Sequence, residues 1–209
     1  MKEILAPMST KEKIEYIWDY YKLHIIGTLF TFIAIGSFVH SWMSHKDSAL
    51  QIMIAGEQIN RENAYTLQET LNKQLLSKNE RKEKEVIVQA VTYSSDGNNP
   101  DSAVSLQKII AEIAAGTVDV LIIDKKFFDQ MNKDGQLIPI QSLSEGKKLP
   151  YKEVYYSPAN RKDIVGIKAG DIAMLKAIVY KEDLILCVPG NTNNKRYVVK
   201  FVDVMLAAE

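Results

Sequence analysis

Between Lys22 and Lys46 the chain carries no Asp, Glu, Lys or Arg. The apolar heart of this stretch, Leu23 to Met43, is about 21 residues long, and at 1.5 Å per residue it matches the roughly 30 Å hydrocarbon layer of a bilayer. Its hydroxyl residues, Thr28, Thr31, Ser37 and Ser41, can return their protons to carbonyls of the same helix, and His24 and His40 sit near its two ends. Trp42 stands where an interfacial aromatic would, and Lys22 and Lys46 close the two ends. A cleaved signal fits less well, because about twenty residues precede the run and it exceeds the usual 7–15-residue apolar region. The expectation is a single-pass transmembrane helix over 23–43, with the lipid bilayer as its first partner.

Positive charge near each end sets the sidedness of such a helix. Lys2, Lys11, Lys13 and Lys22 precede it, whereas Lys46 and Arg61 follow. This bias predicts a cytoplasmic N-terminus at the cell membrane and an extracellular C-terminal domain. Residues 1–22 read as an amphipathic juxtamembrane helix. Ser9-Thr10-Lys11-Glu12 is a capping-box pattern, and Ile14, Ile17, Trp18, Tyr21 and Ile25 recur at three- and four-residue steps.

Composition removes several classes of function. Lys plus Arg and Asp plus Glu each number 26, so no general field draws nucleic acid to the surface. The only cysteine, Cys187, lies in the apolar run Leu184-Ile185-Leu186-Cys187-Val188, which excludes an intrachain disulfide and predicts a buried thiol. All three histidines, His24, His40 and His45, lie in or beside the apolar segment. The remainder of the chain therefore has none for a triad or a zinc site, and it shows no phosphate loop, paired-cysteine motif or serine elbow. The reading is a non-enzyme, with no catalytic residues, no metal and no cofactor.

After a polar link over 44–48, residues 49–209 alternate strand and helix signals. Leu50 to Gly56 reads as a buried strand, and Ala64, Leu67, Leu71, Leu75 and Leu76 mark one face of a helix. Beyond the charged stretch from Lys78 to Glu85, Val86 to Val91 is a second strand. A turn-rich loop from Ser94 to Ser102 leads into a helix to about Ala115, packed through Val104, Leu106, Ile109, Ile110 and Ile113 and stopped at Gly116. Val118 to Ile123 is a third strand, and Phe127, Phe128 and Met131 belong to a short helix. Leu137-Ile138-Pro139-Ile140 reads as an edge segment, Asp163 to Lys168 and Leu184 to Val188 as strands, and Asn193 to Leu206 as the last helix. Alternation of this kind predicts an α/β domain with a mostly parallel sheet.

Two segments carry a resemblance. Ala115-Gly116-Thr117-Val118-Asp119-Val120-Leu121-Ile122-Ile123-Asp124, followed by Gly135-Gln136-Leu137-Ile138-Pro139-Ile140, resembles a helix-strand-helix stretch of extracellular solute-binding proteins. Lys11 to Ile25, KEKIEYIWDYYKLHI, is similar to the opening of a group of uncharacterised membrane-anchored proteins of Gram-positive bacteria. The resemblance implies a periplasmic-binding-protein-like lobe held outside the cell. It carries no ligand residues over, because those lie in variable loops.

In an open parallel sheet, ligands gather beyond the carboxyl ends of the strands. The loops there supply the candidate ligand-binding residues Gly56, Glu57, Tyr93, Ser94, Ser95, Asp96 and Asp124. Free amides at a following helix N-terminus suit a small polar or anionic ligand, although Ser94, Asp96 and Asp124 also serve as turn formers and caps. The function expected is a membrane-anchored extracellular binding or interaction module. The alternative is an accessory subunit of a transporter-like membrane complex, recognised through its transmembrane and juxtamembrane helices. Candidate partners are thus another membrane protein or a small extracellular ligand.

Overall fold

The structure is a computed structural model and describes residues 10–43, 46–94, 100–144, 149–179 and 183–207. It divides into two compact units, Met1–His45 and Lys46–Glu209. The first contains one helix, α1 (Thr10–Met43), of 34 residues, so the juxtamembrane and apolar segments form one continuous rod. Ser9 of the capping-box pattern lies outside the described residues. The Thr28 hydroxyl donates to the His24 carbonyl at 2.7 Å and the Thr31 hydroxyl to that of Gly27 at 2.8 Å. Among the described residues no helix is long and apolar enough to cross a membrane.

The second unit is an α/β layer structure. In chain order it contains β1 (Asp47–Gly56), α2 (Arg61–Leu75), α3 (Glu80–Glu83), β2 (Lys84–Thr92), α4 (Pro100–Ala114), β3 (Val120–Asp124), α5 (Lys125–Lys133), β4 (Val154–Tyr156), β5 (Ile164–Lys168), β6 (Leu184–Cys187) and α6 (Lys195–Ala207). One six-stranded sheet has the order β2-β1-β3-β6-β5-β4. The β1–β2 and β1–β3 pairs are parallel, as the alternating pattern predicts. The β3–β6, β6–β5 and β5–β4 pairs are antiparallel, so the sheet is mixed rather than mostly parallel. The physical reason lies in the connections. A helix crosses between each pair of the first three strands and returns the chain in the same direction, whereas among the described residues no α-helix lies between β4 and β6.

Alternation along β1 explains why both faces are covered. Leu50, Ile52 and Ile54 face a core shared with Ala64, Leu67 and Leu71 of α2 and Val198, Phe201 and Val202 of α6. Met53 and Ala55 face the opposite core, with Ile109 of α4, Phe128 and Met131 of α5, and Leu121, Ile123 and Cys187. Both cores are apolar, as a doubly covered sheet requires. The backbone at Gly166 sits against this second core: a Cβ there would lie 2.6 Å from the Phe128 ring, which leaves no room for a side chain. Gly116 ends α4 with φ +67, the left-handed conformation of a helix stop.

Several boundaries move. β1 begins at Asp47, inside the stretch assigned to the link, and α3 occupies part of the charged segment. Leu137 makes only an isolated antiparallel bridge with Pro189, and Ile140–Ser142 is a 3-10 turn, so the edge segment at 137–140 is not a strand. On α4, Ile109 is buried, but Val104 is 68% and Ile110 50% exposed; neither packs as the apolar pattern implied.

The open edge of β2 is met by side chains of α2. The Val86 amide donates to Asn72 Oδ1 at 2.9 Å, Asn72 Nδ2 donates to the Val86 carbonyl at 3.2 Å, and the Val88 amide donates to Gln68 Oε1 at 2.8 Å. Near the start of β3, the Asp119 carboxylate is fully buried. It accepts from the Gln51 amide at 2.8 Å, the Thr192 hydroxyl at 2.5 Å and Asn194 Nδ2 at 3.1 Å, joining β1 to the chain entering α6.

Cys187 is buried, and desolvation raises its thiol pKa well above the ordinary range. A thiolate is the reactive form, so the folded protein should resist maleimide and label fully once denatured. Mass spectrometry before and after denaturation checks this; rapid labelling of the native chain would contradict the assignment of β6 to the core.

Candidate functional site

The strand directions place the carboxyl ends of β1, β2, β3 and β5 on one edge of the sheet, together with the starts of β4 and β6. The order of β1 to β3 also makes a switch point. From β1 the chain passes outward to β2, then returns across β1 to β3. Adjacent loops diverge at such a point and leave a crevice.

Five of the sequence candidates are gathered there. Gly56, the last residue of β1, accepts a hydrogen bond from the Tyr93 amide at 3.0 Å. The Ser94 hydroxyl donates to the Glu57 carboxylate, and the Ser94 amide donates to the Ser102 hydroxyl at 3.3 Å. Tyr93 is buried; its phenol is raised above the usual range first by desolvation and then by the nearby Asp124 charge. Asp124 closes β3 and caps α5, its Oδ1 accepting from the amides of Lys126 at 2.8 Å and Phe127 at 3.1 Å. Its other oxygen, Oδ2, is buried without a hydrogen-bond partner. Ser95 and Asp96 lie outside the described residues.

The arrangement is suited to binding. A phenol held protonated at neutral pH is a hydrogen-bond donor, and the unused carboxylate oxygen of Asp124 is an acceptor in need of a donor. Glu57 adds a second, exposed carboxylate on the same edge. Among the described residues, no group of three or more His, Cys, Asp or Glu side chains is placed to hold a metal ion.

Sequence reasoning missed a second polar group along this edge. Lys168, at the end of β5, pairs with Asp183 at 2.9 Å and Glu153 at 3.2 Å. Both carboxylates raise its pKa, Asp183 most. The Tyr155 hydroxyl donates to Glu153 at 2.8 Å, and burial followed by that carboxylate pushes the phenol up to about 12. Lys125, beside Asp124, lies 5.8 Å from the Tyr155 ring centre. The only available signal was Val154-Tyr155-Tyr156, too short for periodicity to declare a strand. A separate groove of 540 Å³ runs between α4 and α5 along Ile110, Ile113, Phe127 and Met131.

Comparison with known proteins finds no family model, no curated protein and no solved structure that matches this chain.

Proposed function

We propose that this protein is a membrane-anchored extracellular binding module. Residues 23–43 of α1 form the transmembrane anchor, and the α/β domain is held outside the cell as a lobe of the solute-binding type. The supporting observation is the surface of α1. Leu23, Ile26, Leu29, Phe30, Phe32 and Ile33 are all more than half exposed, at 77, 53, 60, 73, 70 and 62%. They occupy one half of the helix circumference, and such a surface needs lipid or protein against it. The hydroxyls of Thr28 and Thr31, already bonded within the helix, remove much of the cost of putting them in hydrocarbon. The module works by binding rather than catalysis, with the strand-end loops at Gly56, Glu57, Tyr93, Ser94 and Asp124 engaging a small polar ligand or a protein loop.

Fractionation of cells making the full chain tests the anchor. The protein should stay in the membrane pellet after alkaline carbonate and be released by detergent. With the wall removed, protease added outside should cut between Lys78 and Lys84 and spare the first twenty or so residues. Release by carbonate would defeat the anchor, and loss of the N-terminus with an intact domain would reverse the orientation.

A second reading rests on one stripe of α1. His24, Gly27, Thr28 and Thr31 share a shallow face bordered by Phe32 and Ile35, and its small residues permit approach by another helix. On this reading the chain is an accessory subunit of a membrane complex. Exchanging residues 23–43 for an unrelated apolar helix separates the two: a complex that persists favours the outer domain, and one that is lost favours α1.

A further inference from the structure

The amino ends of β1 and β2 lie side by side, with Asp47 opposite Lys84 and Ser48 opposite Glu85. The last turn of α2 and all of α3 reach the same edge, since each connects to β2 there. Lys46, Lys73, Arg81 and Lys84 line a cleft of 200 Å³ at this edge, in company with Glu69 and Glu85. Beside it Lys84, Arg196 and Lys200 surround the Tyr197 ring at 5.5, 5.9 and 5.0 Å from its centre. The six cations Lys46, Lys73, Arg81, Lys84, Arg196 and Lys200 outnumber the acids Asp47, Glu69, Glu80 and Glu85 at this edge, in a molecule whose charges balance overall.

The nearby acid Glu80 is held ionised, its carboxyl pulled down to about 2 first by the hydrogen bonds from Ser77, and it offsets one of these cations. Its carboxylate accepts from the Ser77 amide at 2.8 Å and the Tyr197 hydroxyl at 3.1 Å and is thereby tied into the turn that begins α3. Among the described residues the ion pairs lie elsewhere, at Lys108–Glu112, Lys125–Asp129 and the Lys168 group. The two edges of the sheet thus differ in kind. At the carboxyl edge Lys168 is bracketed by two acids, and at the amino edge the lysines and arginines have none within ion-pair distance among the described residues.

We infer that this amino edge is a docking surface for the anionic headgroups of the bilayer. The inference rests on the anchor reading, and two observations select the occupant. The first is charge complementarity, since clustered Lys and Arg side chains near a membrane are drawn to acidic phospholipid. The second is the chain itself. Only residues 44–46 separate α1 from β1, so the edge that begins β1 is the one tethered to the anchor. A tether that short raises the local concentration of headgroups without any gain in intrinsic affinity.

Reconstitution of the full chain into lipid nanodiscs tests this, with amine acylation of individual lysines read by mass spectrometry. In discs containing phosphatidylglycerol, Lys73 and Lys84 should acylate roughly three- to tenfold more slowly than in phosphatidylcholine discs, and high salt should remove the difference. Lys126, on the opposite edge, should react alike in both. The double variant Lys73→Glu with Arg81→Glu should lose the lipid dependence at Lys84 while its circular dichroism stays unchanged. Equal rates in the two discs would overturn the docking surface and leave the anchor standing. Failure of the chain to enter either disc would overturn both. Equal slowing by inorganic phosphate in phosphatidylcholine discs would show a site for free anions and overturn the bilayer as occupant.

Discussion

Leu121→Asp is expected to abolish cooperative folding of the domain that starts at Lys46. Leu121 is 0% exposed, sits opposite Met53 on one side and Cys187 on the other, and faces a core of apolar side chains. A carboxylate there must either remain ionised at a cost of several kcal/mol or bind a proton and stay without a partner. The lost leucine packing adds about 2–5 kcal/mol, and the sum is comparable with a whole domain's stability of about 5–15 kcal/mol. Val104→Asp is the matched control, because Val104 is 68% exposed on α4 and should change stability by less than about 0.5 kcal/mol. Urea unfolding of the full chain in mild detergent, followed by circular dichroism, measures both. Equal losses in the two variants would mean that β3 does not occupy the centre of the sheet.

Asp119→Ala should come next, with a loss of about 3–5 kcal/mol. The alanine leaves the Gln51 amide, the Thr192 hydroxyl and the Asn194 amide without the acceptor they share, and it empties a fully buried position. Unpaired buried donors each cost about 1–3 kcal/mol, less where water can enter. Asp119→Asn retains the shape but turns an –NH₂ group toward existing donors, so a smaller loss is expected. A change under about 1 kcal/mol for the alanine variant would show that the network can be dissolved without consequence, contrary to its burial. The same urea series provides the comparison.

The parts of the fold that were legible have one property in common: each carries its own local pattern. Leu50 to Gly56, Val86 to Val91, Val120 to Ile123 and Leu184 to Cys187 are apolar runs of strand length, and α2 shows its buried face at Ala64, Leu67, Leu71 and Leu75. Strand direction has no such local mark. Nothing within Leu184–Cys187 distinguishes an antiparallel from a parallel neighbour, because that depends on how the intervening chain returns. β4 is three residues long, below the length at which alternation can be seen. Val104 and Ile110 look like core residues in an apolar helix, yet they fall on sides of α4 that the sheet does not reach.

The candidate site divides along the same line. Gly56, Glu57, Tyr93, Ser94 and Asp124 were within reach because the ends of parallel strands converge wherever the strands run together, a rule that needs only strand order. The joining of Lys168, Glu153 and Asp183 depends on the antiparallel half of the sheet, so charge pattern along the chain did not reveal it. The buried Asp119 escaped for a similar reason, since its partners Thr192 and Asn194 lie more than seventy positions further along the sequence.

The hydrogen bonds that Asn72 and Gln68 make to Val86 and Val88 limit how a partner can recognise this domain. An extended peptide joins a sheet by filling the row of free amides and carbonyls along its outermost strand, a mode of binding that reads backbone more than side chains. Here an amide side chain from α2 already stands in that row at Val86 and a glutamine at Val88, so an incoming strand would first have to displace groups tethered to the same domain. Recognition along β2 is thereby steered away from generic strand addition, which protects an exposed domain from indiscriminate self-association.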